Sequence, residues 1–134
     1  MKRLRRLFKK REKGQALVET ALVLPLFLLI VCGIIDFGWI YSHQLMLNNS
    51  SRDGARYAIV RYGDEDMVTD TVNHMKESIT MIAPEDLNIT VVTEADGDIN
   101  VTATADVEVL TPLTGIFVPG QVIKLTSSTI MSTD

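Results

Sequence analysis

The chain has one cysteine, Cys32, and two histidines, His43 and His74. A single cysteine excludes an intramolecular disulfide, and its place inside an apolar run makes it a small buried side chain rather than a reactive thiol. Neither histidine has a cysteine or a second histidine at ligand spacing, so no metal is expected, and no other cofactor. The sequence also lacks a phosphate-cradling glycine loop, a nucleophile motif and a redox pair. No enzymatic activity is therefore expected. Asp96–Asn100 begins like a calcium loop, but Val101 stands where the sixth-place glycine is needed and Val107 where the closing glutamate is needed. There is no internal repeat and no low-complexity tract.

What is present is unevenly placed. Residues 1–13 hold eight basic residues against one acid, a net of +7. The remainder holds five basic against sixteen acidic residues, a net of −11. Such asymmetry separates two environments and says little about fold. Between the two lies an uncharged run of sixteen residues, Thr20–Ile35, within an apolar stretch of about 25 residues whose only charges are Glu19 and Asp36. The uncharged core is about 24 Å long as a helix, against a hydrocarbon layer of about 30 Å. Trp39 and Tyr41 sit where interfacial aromatics belong, and the basic leader predicts an inside N-terminus. The run is too long for a cleaved secretory signal and has no small-x-small site after it. Against a membrane helix the basic block reads as a lipid and topology signal, not a nucleic-acid site.

Beyond Tyr41 a helical stripe continues through Leu45, Asn48, Arg52, Ala55, Ile59 and Tyr62, with Gly54 a weak point and Gly63 a stop. Asp64–Asp66 reads as the cap of a second helix with a core face of Val68, Val72, Met75, Ile79 and Ile82, ended by Pro84. The period then changes to two. Leu87, Ile89 and Val91 form one strand, Ile99 to Val109 another, and Val122 to about Met131 a third, less clearly alternating. Asp96-Gly97 and Pro119-Gly120 are turn signals. The expected fold is α+β: a long N-terminal transmembrane helix continuing into a small domain with a second helix and an antiparallel three-stranded sheet. The expected divisions are a basic leader over 1–14, a transmembrane helix over 15–41 and an extracytoplasmic domain over 42–134.

Several residues invite a functional role. Gly14, at the end of the basic leader, is followed five residues later by Glu19, and a small residue admits a protease closely. A carboxylate at the membrane is expensive, so Glu19 either finds a partner or snorkels at the interface. Asp36 either accepts a hydrogen bond from a partner helix or marks the outer membrane boundary. Arg52 and Arg56 share a helix face, as do Asp53 and Tyr57; each pair fits a subunit contact or a solvated surface. The apolar segment around Phe117, residues 113–118, either plugs the core or forms a contact patch.

The Gly14-x-x-x-x-Glu19 arrangement resembles the processing site of type IV pilin-like precursors. More narrowly, Gly-Gln-Ala-Leu-Val-Glu at Gly14–Glu19, Leu24-Pro25, Asp36-Phe37-Gly38 and Arg52-Asp53-Gly54-Ala55-Arg56 resemble the TadE-like pseudopilins of the tight-adherence (Flp) pilus system. Thr20 stands where that family usually has an aromatic. The resemblance implies a pseudopilin or minor pilin of the inner membrane, cut after Gly14 by a prepilin peptidase. It also implies that the new amine of Gln15 is met by the Glu19 carboxylate of a neighbouring subunit. The implied partners are the peptidase, other pilins and pseudopilins, and an inner-membrane assembly platform with its ATPase. Two alternatives remain: an uncleaved single-pass anchor whose outer domain is a binding module, and an enzyme with an unrecognised site.

Overall fold

The computed structural model describes residues 2–94, 96–112 and 119–132, with the side chains of 2–13 and of Pro119 outside the description. The segment 113–118, including Phe117, therefore lies outside the described residues.

One helix, α1, runs from Lys2 to Val60. Its 59 residues would extend about 88 Å. Pro25 lies inside it, where the missing N–H costs one backbone hydrogen bond. The helix ends in a tightened turn, Arg61 and Tyr62 donating to the carbonyls of Ala58 and Ile59. Gly63 then takes φ +96°, the left-handed conformation expected of it. The second helix, α2, is Met67–Ser78, with Asp66 at its N-cap.

The last third is a three-stranded antiparallel sheet: β1 (Leu87–Thr93), β2 (Ile99–Glu108) and β3 (Val122–Met131), in the order β1-β2-β3. Leu87 pairs with Ala105 and Val91 with Val101 on one side of β2; Ala105 pairs with Leu125 and Val101 with Thr129 on the other. Central β2 buries Ile99, Val101, Ala103, Ala105 and Val107 in strict alternation, as period two requires of a sheet covered on one face. Gly97 and Gly120 both have positive φ at the turns. The sheet lies on α1, with Leu47, Ala55 and Ala58 of α1 and Met67 and Met75 of α2 in the shared core.

Three expectations about faces are corrected. First, of the helical stripe only Ala55 is fully buried and Asn48 and Ile59 partly so, while Tyr41, Leu45, Arg52 and Tyr62 are exposed; α1 also buries Asp36, His43, Leu47, Ser50, Ser51, Gly54 and Ala58. The buried face combines small and hydroxyl side chains with Leu47 and His43, and Gly54 on it meets Met75 of α2. Second, α2 buries Met67, Thr71 and Met75, while Val68 is exposed. The Thr71 hydroxyl hides its polarity by donating to the Met67 carbonyl at 2.7 Å, which lets threonine take a core position. Third, α2 ends at Ser78, six residues before Pro84. Ile79 and Ile82 are buried as expected, but from an irregular segment after the helix.

α1 runs unbroken through Gly54. A Cβ there would lie 2.7 Å from Met75 Cγ and closer still to its sulfur. The glycine admits the Met75 side chain between the two helices.

Candidate assembly site

From Gly14 to Ile30 every residue of α1 is exposed. Leu17, Leu22, Leu26 and Phe27 contribute apolar surface to the whole circumference. An apolar surface of this extent is not stable in water. Among the described residues one helix is long and apolar enough to cross a membrane; its best 18-residue window has a mean hydropathy of 2.6 and none of that window is buried. The polar side chains here bond within the helix: the Thr20 hydroxyl donates to the Ala16 carbonyl at 2.9 Å.

Gln15 and Glu19 lie one turn apart on the same face. The Gln15 amide donates to the Glu19 carboxylate at a long 3.4 Å. No described cation pairs with Glu19. Its carboxylate opens onto a shallow apolar groove formed by Val23, Leu24 and Phe27. Gly14 has nothing within 4 Å of where a Cβ would stand. A negative charge is thus presented on an apolar helix, one turn from a residue that becomes N-terminal if the chain is cut after Gly14.

Asp36 is bound within the chain. It is only 2% exposed. One carboxylate oxygen accepts the Thr111 backbone N–H at 2.9 Å, and the other accepts the Thr111 hydroxyl. The domain therefore grips α1 from Asp36 upward, and Trp39 packs against the core instead of standing free. Tyr41 is exposed and stacks with Phe37 at 6.0 Å.

The two pairs near the top of α1 separate. Asp53 and Tyr57 fasten α2: Asp53 meets His74 Nε2 at 2.8 Å, and the His74 ring stacks on Tyr57 with centroids 4.4 Å apart. The Arg61 guanidinium lies 4.7 Å over the other partner of that stack, Tyr57, and pairs with Asp70. Arg52 and Arg56 remain exposed, lining a groove with Asn49 and Met131, and form no ion pair among the described residues. His43 is a core residue, its Nδ1 on the Trp39 carbonyl at 2.8 Å. No group of three or more metal-ligating side chains occurs among the described residues.

A polar seam between α1 and β3 was not anticipated from the sequence. Ser51 Oγ lies 2.8 Å from Ser127 Oγ and 2.9 Å from Thr129 Oγ1, and donates to the Asn48 carbonyl at 3.1 Å. Gln44 reaches the Thr126 carbonyl at 3.1 Å. The seam explains why β3 alternates poorly in hydrophobicity. The signal was present as hydroxyl runs at Ser50-Ser51 and Thr126–Thr129.

Residues 14–56 match the family model described as TadE-like protein. The chain carries a TadE-like domain. The match begins at Gly14 and ends at Arg56, so it takes in Gln15, Glu19, Asp36 and Arg52 but not α2 or the sheet. No curated protein and no solved structure matches the chain. The TadE-like domain connects the protein with the tight-adherence pilus system, and the single apolar helix fits a single-pass membrane protein of that system.

Proposed function

We propose that this TadE-like chain is a pseudopilin or minor pilin, made with the basic head 1–14 in the cytoplasm and the domain from 42 onward outside. A prepilin peptidase hydrolyses the bond between Gly14 and Gln15. The cut removes the leader charge and leaves an α-ammonium at the start of an apolar helix. The observation that carries this reading is Glu19: an exposed carboxylate without a described cation, one turn from Gln15, at the start of a helix whose exposed surface is apolar from Ala21 to Ile30.

After cleavage Glu19 lies near the positive end of the α1 dipole, which favours it modestly. Its charge still has to be matched where the helix enters the bilayer, at less than the cost of an unpaired charge at the centre, about 2.5–3.5 kcal/mol. The N-terminal amine of a neighbouring subunit meets that need and fixes axial register. Arg52 and Arg56, solvent-facing on the outer part of the same helix, offer a second contact to related pilins. The inner-membrane platform and its ATPase would move the processed subunit. The protein is thus a substrate and structural component, with no catalysis of its own.

A second reading is an uncleaved, membrane-anchored binding module. It is favoured by the continuity of α1 through Lys13, Gly14 and Gln15, since peptidases act on extended chain and the helix must open first. N-terminal sequencing of the protein from membranes with and without the peptidase separates the two. A start at Gln15 only when the peptidase is present supports the pilin reading; an unaltered Met1 in both leaves the anchored module.

A further inference from the structure

The contacts between α1 and the sheet define a direction. Ser51 meets Ser127 and Thr129, Gln44 meets Thr126, and Asp36 meets Thr111. Descending α1 toward the apolar span therefore means descending β3 toward its connection with β2. That end of the sheet points at the membrane, and the Asp96-Gly97 turn points away from it.

Depth follows from the helix. Seventeen residues separate Glu19 from Asp36, about 25 Å of rise, against a hydrocarbon layer about 30 Å thick. With Glu19 near the inner edge, Asp36 reaches the outer edge or stops just short of it. Thr111 is bound to Asp36, so it lies at the same level. Its neighbour Leu110 is 57% exposed, and Val122, Ile34, Ile35 and Phe37 also expose apolar surface around this level. No charged residue occurs between Glu108 and Lys124. Charge begins at the strand end itself: exposed Glu108 stands directly opposite Val122, at the same level, and Lys124 approaches Asp106 at 4.0 Å one step further out. The exposed apolar surface of Leu110 is continuous in level with the span, and is bounded on the outer side by charges.

We propose that the β2–β3 end of the sheet, through Leu110 just below the Glu108–Val122 pair, is a second membrane contact that enters the outer lipid interface beside α1. It rests on α1 spanning the bilayer. Asp36 is the pin that makes this possible. A carboxylate at that depth needs donors, and the Thr111 N–H and hydroxyl supply two of them in charge-assisted bonds. The same bonds hold the strand end down against the helix. The domain then sits on the bilayer through two elements instead of swinging on a flexible stalk. Its orientation is set before any neighbour arrives.

The test uses the full chain in phosphatidylcholine bilayers, with Cys32→Ser as background and one spin label at a time. The label is placed through Phe27→Cys in the span, Leu110→Cys at the proposed contact, or Val92→Cys near the far turn. Collision with oxygen reports lipid, and collision with a water-soluble nickel chelate reports solvent. Positions 27 and 110 should both favour oxygen, and position 92 nickel. If 27 favours oxygen but 110 behaves like 92, the inference falls and the span stands; if 27 also favours nickel, the span itself fails. Shielding of 110 from both reagents, growing with protein-to-lipid ratio, would mean a second copy covers the patch and also overturns the proposal. Thr111→Val in the Leu110→Cys chain should raise nickel accessibility at 110 at least about two-fold; no change would overturn the role given to the Asp36 pin.

Discussion

Ser51 and Ser127, seventy-six residues apart in sequence, share a buried hydrogen bond of 2.8 Å between helix and sheet. Ser51 gives its one proton to the Asn48 carbonyl, so Ser127 and Thr129 must donate to its two lone pairs. Ser51→Ala leaves the Ser127 hydroxyl without its acceptor and should cost about 1–3 kcal/mol. The Ser51→Ala, Ser127→Ala double variant should cost less than the sum of the singles, because the orphan is removed with its partner. Denaturation of the full chain in detergent, followed by Trp39 fluorescence, measures both. Strict additivity would refute the seam as a coupled unit.

The contact between Gly54 and Met75 makes a prediction of opposite sign to helix propensity. Alanine is favoured over glycine in a helix interior by about 1 kcal/mol, yet here the added methyl overlaps a fully buried thioether. Overpacking of this kind costs about 1–3 kcal/mol. Gly54→Ala should therefore be neutral to destabilising, and Gly54→Leu severely so. Met75→Ala should offset part of the Gly54→Leu loss. A stabilised Gly54→Ala protein would show that the helices separate freely.

Near the outer end of α1, the paired Arg61 and the exposed Arg52 and Arg56 divide by role. Arg61 and Asp70 are each about 40% exposed, so their ion pair is worth at most about 1 kcal/mol, with the stack on Tyr57 adding about 0.5–1. Arg61→Ala should lower stability by about 1 kcal/mol in total. Arg52→Glu and Arg56→Glu touch no described partner and should change stability by less than about 0.5 kcal/mol. Under the proposed function they should nevertheless reduce recovery of the protein with other pilins. Normal association of a doubly charge-reversed chain would show that this face is only solvated.

Glu19→Gln keeps the size of the side chain and its hydrogen-bonding reach to Gln15 but removes the charge. Processing after Gly14 and membrane insertion should be unchanged, since neither requires that carboxylate. Crosslinking between subunits through the span should fall by an order of magnitude or more, the loss expected of about 1.4 kcal/mol or more of charge matching. Undiminished crosslinking would mean that Glu19 is a snorkelling interfacial residue.

The sequence alone was enough to read the α+β order, the apolar span, the three strands and the glycines at 63, 97 and 120. Each of these depends on local chemistry: an uncharged run, a period of two, or a backbone that needs positive φ. The Gly14–Glu19 spacing was legible for the same reason, since both residues lie on one helix within six positions. The tertiary structure alone decided which face of α1 is buried, that Gly54 is a packing site, and that Asp53 and Tyr57 serve α2 while Arg52 and Arg56 do not. It also decided that Asp36 is pinned by Thr111. These features arise between residues brought together across about 20 to 80 positions of chain, where polar side chains at the interface satisfy one another, and hydrophobic periodicity carries no record of such pairings.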